Sequence, residues 1–135
     1  MRTIKFRAKA YRVNGDIWIY GDLRHHKGDV CIFKQEGISG EQVKRETIGQ
    51  FTGLLDKNGR EIYEGDIIRF VNGQKKVNGE WVDNEFINTV KYSEGRFYGI
   101  SGLSKVLNSV EVIGNIYDNP DLITFKIDTH KEDEQ

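Results

Sequence analysis

The sequence predicts an all-β protein, in which a small N-terminal antiparallel hairpin region packs on a compact β-barrel and the chain closes with one short helical turn. Three observations carry this. Residues Thr3 to Ala10 alternate apolar and basic, the period of a half-buried strand. Fifteen glycines stand against one proline, a balance that favours tight turns over an extended linker. The stretch from Ile48 to Phe70 contains a chain reversal at Asp56-Lys-Asn-Gly59 followed by the apolar run Ile67-Ile-Arg-Phe-Val71, which suits a strand packed inside a small barrel.

In order along the chain, Ile4, Phe6, Ala8 and Ala10 fall on one face of the first strand and Lys5, Arg7 and Lys9 on the other. Asn14-Gly15 is a hairpin turn signal, and Ile17 to Leu23 supplies the returning strand. Arg24 to Asp29 is polar and reads as a connection. Val30-Cys-Ile-Phe33 is a third short strand, broken by Gly37-Ile-Ser-Gly40. Val43 to Leu55 is β-like around Thr47, Ile48 and Phe51. Gly59 supplies the positive φ of the following turn, and Glu61-Ile-Tyr63 returns antiparallel. After a bend at Glu64-Gly-Asp66, residues 72–83 hold Asn72-Gly73 and Asn78-Gly79 with two adjacent lysines, a loop or protruding hairpin inserted between barrel strands. Glu85 to Tyr92, Arg96 to Ile100 and Val110 to Ile116 complete the strands. Asn119-Pro-Asp is a helix start, with Asn as N-cap and Pro at the first helical position. The division expected is 1–46 for the N-terminal β subdomain, 47–127 for the barrel and 128–135 for a flexible acidic tail.

Composition bounds the function classes. A 135-residue chain with 37% hydrophobic and 30% charged residues is one globular domain or two small ones sharing a core. No apolar run reaches the roughly 18 to 20 residues of a membrane span, and no signal-peptide pattern opens the chain. The single Cys31 has no internal disulfide partner, so the cytosol is the compartment expected. The net charge of −1 hides an asymmetry: residues 1–51 carry ten Lys and Arg against six Asp and Glu, and residues 52–135 carry ten against fifteen. This suits either an anionic partner for the N-terminal part or association between opposite charges of two copies.

Taken together, Lys5-Phe-Arg7, Trp18-Ile-Tyr-Gly-Asp22, the segment Ile48 to Phe70 and Val112-Ile-Gly-Asn-Ile-Tyr-Asp-Asn-Pro120 resemble the YopX family of phage and prophage proteins over nearly the whole chain. The most specific blocks are Thr52 to Gly59, Ile62 to Asp66 and Ile113-Gly-Asn-Ile-Tyr117. The resemblance implies a mostly β protein whose C-terminal part is an SH3-like barrel, located in the cytoplasm of a bacterial host. It carries over no activity and no catalytic or binding residues. The segment Gln74 to Asp83 follows no family pattern.

The chemistry-bearing groups mostly favour structural readings. Asp56 to Ile67 lacks the Gly and Glu that a calcium loop places at its sixth and twelfth positions. His25 and His26 with Asp22 and Cys31 match no zinc spacing and read as exposed loop histidines, while Cys31 sits in an apolar run and reads as a buried hydrophobe. Gly95 to Lys105 lacks the spacing of a phosphate loop and its glycines serve turns and a bulge. Glu61, Glu64 and Asp66 cluster in sequence, but Asp66 beside Gly65 reads as the cap of a bend. No metal and no cofactor are expected, and no small-molecule substrate is evident.

Three functions follow in order. First is a non-enzymatic binding or assembly module acting through protein partners or a homo-oligomer, using exposed strand edges. Second is a nucleic-acid-binding protein whose basic face, Lys5, Arg7, Lys9 and Arg12, neutralises phosphates beside Tyr11, Trp18 and Tyr20. Third is a small hydrolase or nuclease built on Asp66, Glu64 and His25, which requires their convergence in one concave site.

Overall fold

A computed structural model describes residues 3–34, 40–100 and 107–123. The fold is all-β and antiparallel, in two compact units, Met1–Leu54 and Leu55–Gln135. The expected acidic tail, 128–135, and parts of the Gly37–Gly40 and Gly95–Lys105 segments lie outside the described residues.

In the first unit, strands β1 (Phe6–Ala10), β2 (Ile17–His26), β3 (Asp29–Phe33), β4 (Gly40–Gln42) and β5 (Gly49–Leu55) run in the sheet order β4-β3-β2-β1-β5. The expected N-terminal hairpin forms, with Ala8 opposite Ile19 and Ala10 opposite Ile17. The connection Arg24 to Asp29 does not: β2 runs on to His26, and only Lys27 and Gly28 turn the chain, with φ of 50° and 84°. Paired positive φ values make the primed two-residue turn that matches strand twist. Ala8, Ala10, Ile19, Val30, Ile32 and Val43 form the core, with Phe6, Leu23 and Ile48 packed against it. Each large aliphatic side chain buried there stabilises the unit by about 1.5–3 kcal/mol. Ile4, expected on the same face, is exposed.

The β-like segment from Val43 is interrupted by a 3-10 turn at Arg45–Thr47. Its cause is the Thr47 hydroxyl, which accepts from Lys9 N at 2.8 Å and donates to Lys44 O at 2.7 Å. A local side-chain bond of this kind offers the backbone an alternative to the ladder.

In the second unit, β6 (Glu61–Tyr63) precedes β7 (Asp66–Val77), β8 (Glu80–Thr89), β9 (Lys91–Ser93), β10 (Arg96–Tyr98) and β11 (Glu111–Asn115). β7 lies between β11 and β8, and β9 pairs with β10. Ile62, Tyr63, Ile67, Ile68, Phe70, Val90, Val110 and Val112 are buried. The strand expected over Glu85 to Tyr92 is split at Val90, whose N–H bonds Asp66 O and whose carbonyl accepts from Gly65 N. That exchange pulls one residue out of the run and separates β8 from β9.

Asp56 organises the turn before β6. Its Oδ1 accepts from Asn58 N and Arg60 N, each at 2.9 Å, and its Oδ2 from Val112 N at 2.9 Å. Burial pushes this carboxyl up, but the three backbone N–H donors outweigh burial and hold it below its ordinary value. The turn is thereby tied to β11, and Glu111 adds ion pairs to Lys57 and Arg69. Gly59 takes the expected positive φ, 80°.

The closing helical turn forms over residues 120–123, with a division of labour at Asn119. Its backbone carbonyl accepts from Leu122 N at 3.2 Å, while its side chain reaches back to Asn115 N at 3.1 Å. Asn115 in turn accepts from Tyr117 N and Asp118 N. The block Ile113 to Tyr117 is therefore a turn-building device.

Candidate functional site

The outer half of the β7–β8 hairpin is exposed throughout. Lys76 pairs with Trp81, Lys75 with Val82, Gln74 with Asp83 and Val77 with Glu80. Asn78 and Gly79 turn the chain with φ of 53° and 83°, so the Asn-Gly signal acts as a primed hairpin turn. Asn72-Gly73 is a bulge, where the register shifts between Val71 and Gln74. Residues 72–83 thus form a protruding hairpin whose strands continue β7 and β8 without a break.

Every residue from 72 to 83 is exposed, on both faces of the ribbon. Six residues of strand extend about 20 Å. An isolated two-stranded ribbon is marginal in water, and here it is held at its base by Phe70 stacked on Phe86, 5.5 Å between ring centres. Near its tip, the Lys76 ammonium lies 5.2 Å from the Trp81 ring centre. This leaves Trp81 63% exposed, with Val77, Val82 and Phe86 also open to solvent.

Alternation places Trp81, Asp83 and Glu85 on one face of β8 and Glu80, Val82 and Phe86 on the other. β8 carries three carboxylates and no cation, whereas residues 72–77 of β7 carry Lys75 and Lys76. Among the described residues, Lys75, Glu80, Asp83 and Glu85 form no ion pair. Among the described residues, β8 is bonded to a strand on one side only. β7 loses its other neighbour beyond Arg69, where its pairing with β11 ends, and Ser109 covers Val71. Of the two alternatives the sequence offers for this segment, a loop or a protruding hairpin, the hairpin forms, with Lys75-Lys-Val77 and Trp81-Val82 flanking Asn78-Gly79 as its strands.

The basic row takes a different form from the outer row expected. Arg7 is buried, with its guanidinium 4.5 Å from the Trp18 ring centre. Lys9 is half-buried over the same ring at 5.5 Å, and Lys5 lies 5.7 Å from the Phe51 ring centre. The arginine and lysine stems cover aromatic surface. Arg12 is exposed and pairs with Glu41, whose carboxyl that hydrogen bond holds low. Trp18 thus sits among these cations, while Tyr11 and Tyr20 stay exposed.

The remaining candidates are placed as follows. Asp66 is buried, and its Oδ2 accepts from Tyr63 N at 2.8 Å, the bend cap expected of it. Glu61 accepts from the Tyr63 hydroxyl at 2.9 Å. His25 is exposed and belongs to strand β2, as does His26, so these are strand residues and not loop residues. Cys31 is buried with a free thiol. Among the described residues no group of three or more His, Cys, Asp or Glu could hold a metal ion, and no helix is long and apolar enough to cross a membrane.

An antiparallel all-β chain with two units and a projecting charged ribbon is the class that this geometry defines. The YopX protein family model matches residues 5–124, and the chain belongs to that family. Among solved structures, it is similar to the crystal structure of protein EF1440 from Enterococcus faecalis, at 26% identity over 90% of this chain and 99% of that one, with a TM-score of 0.45. No curated protein matches the sequence.

Proposed function

We propose that this chain is a non-enzymatic binding and assembly module of phage or prophage origin, acting in the host cytoplasm through protein–protein contacts. The observation that carries the reading is the ribbon at residues 72–83, which displays Trp81, Val77 and Val82 with open strand edges. Exposed aromatics beside free backbone donors and acceptors are what strand addition uses for affinity and selectivity. The phage origin and the reading of the second unit as an SH3-like barrel both rest on the resemblance drawn from the sequence blocks Thr52 to Gly59, Ile62 to Asp66 and Ile113 to Tyr117.

The nucleic-acid reading has less support. It needs Lys5, Arg7, Lys9 and Arg12 to reach phosphates, whereas Arg7 is buried over Trp18 and Arg12 is engaged by Glu41. Light scattering with a short single-stranded DNA at two salt concentrations would reveal a salt-sensitive complex and revive it.

The test of the leading reading places a photo-crosslinking amino acid at Trp81, and in a control at Val13, which is exposed in the loop between β1 and β2. In bacteria expressing the chain, a discrete cross-linked product at position 81 and none at 13 is expected. No product at 81, or the same products at both positions, overturns the reading.

A further inference from the structure

The two long edges of the ribbon differ in charge. The outer edge of β8 carries Glu80, Asp83 and Glu85, and the outer part of β7 carries Lys75 and Lys76. Each edge presents its charge to both faces: Lys76 shares a face with Trp81, and Lys75 shares one with Val82. Two β8 edges brought together would set carboxylate against carboxylate, and two β7 edges would set lysine against lysine. Like charges placed opposite one another destabilise strand pairing. Only β7 against β8 is complementary, with one lysine on each face able to meet an acid on the same face.

We propose that the occupant of the β8 edge is a second copy of this chain, docked by the outer part of its β7. This rests on the reading of the ribbon as a protein-binding element. The absence of ion pairs at Lys75, Glu80, Asp83 and Glu85 among the described residues leaves these charges available to a neighbour. The hydrophobic contribution comes from Trp81, Val82 and Val77, which the added strand covers. The contact is heterologous, the acidic edge of one copy meeting the basic edge of the next, so it generates a ring or an open chain and not a two-fold dimer. Same-sign edges act here as selection against the wrong pairings.

The experiment is a charge swap read by sedimentation velocity. One variant carries K75E and K76E, so both its edges are acidic; the other carries E80K, D83K and E85K, so both its edges are basic. All five positions are exposed. The wild-type chain is expected to self-associate more weakly as salt rises, each variant alone to associate roughly tenfold or more weakly, and an equimolar mixture to recover association. Recovery on mixing also demonstrates that both variants are folded. A wild-type chain that stays monomeric, an association indifferent to salt, or variants that associate as the wild type does, each overturns the inference. A cross-link from position 81 to a different protein, with a monomeric wild type, overturns this inference while leaving the broader reading intact.

Discussion

Asp56 and Val112 stand 56 residues apart in the chain and are joined by a hydrogen bond of 2.9 Å from Val112 N to Asp56 Oδ2. The same carboxylate holds Asn58 N and Arg60 N, so one side chain shapes a turn and fastens it to β11. Asp56→Ala would leave three backbone donors without this acceptor and is expected to cost about 3 kcal/mol in urea unfolding. Asp56→Asn, which loses the charge and presents an NH2 group towards at least one donor, is expected to cost about 2 kcal/mol. A loss below about 0.5 kcal/mol for Asp56→Ala would deny the carboxylate this role.

The acid response of the fold follows from the same group. Burial raises the Asp56 pKa, but the N–H groups of Val112, Arg60 and Asn58 together outweigh it and leave it below its ordinary 3.8. A carboxylate with a depressed folded pKa contributes stability that is complete above the unfolded value and lost as pH falls through the folded value. The stability difference between wild type and Asp56→Asn is therefore constant from neutral pH to near 3.8 and narrows below it. Urea titrations across that range measure it, and a gap that does not narrow on acidification contradicts the assignment.

Two glycines with nearly the same backbone separate conformational strain from collision. Gly99 and Gly73 have φ of 84° and 81°, but a Cβ on Gly99 would lie 2.2 Å from Thr89 O, whereas one on Gly73 would meet nothing within 4 Å. Gly73→Ala is expected to cost about 1 kcal/mol from the left-handed conformation alone. Gly99→Ala should cost more than about 2 kcal/mol, because backbone must also move. Equal losses in thermal unfolding would contradict the close approach.

Gly114 presents a third case, since a Cβ there would lie 2.5 Å from Asn119 Oδ1, the atom that accepts from Asn115 N. Gly114→Ala is expected to cost about 1–2 kcal/mol by displacing that side chain. In a double-mutant cycle with Asn119→Ala the two losses should fall short of additivity by at least about 0.5 kcal/mol. Full additivity would mean that the two positions do not share this contact.

Much of the fold was legible because its signals are local. The alternation through Ala8 and Ala10, the Asp56–Gly59 turn and the Asn119-Pro120 start each rest on a few adjacent residues. What escaped depends on distant partners. Thr47 bends the chain because its hydroxyl meets Lys9 N, and Val90 leaves its strand because it bonds Gly65 and Asp66. Arg7 has the pattern of an outward-facing residue, yet Trp18 on the neighbouring strand gives its guanidinium a ring to cover. The ribbon was legible in its turn and as one of two alternatives, a loop or a protruding hairpin; the exposure of both its faces was not, because period-2 alternation does not show that both faces of a strand meet solvent.

Trp81 is predicted to matter for association and not for folding. Its removal forfeits the contact with Lys76, worth about 0.5–1 kcal/mol at an exposed site, so Trp81→Ala should unfold within about 1 kcal/mol of wild type. Its self-association should weaken roughly tenfold, as for other buried aromatic anchors of interfaces. A destabilised fold with unchanged association would reverse the assignment.

The most direct measurement is amide hydrogen exchange along β8 as a function of protein concentration. If copies pair through this edge, the amides of residues 80–87 gain protection as concentration rises, while those of the β1–β2 loop, residues 11–16, do not change. Exchange at residues 80–87 that is the same in dilute and concentrated solution, while the protein sediments as an oligomer, would contradict the account and place the interface elsewhere.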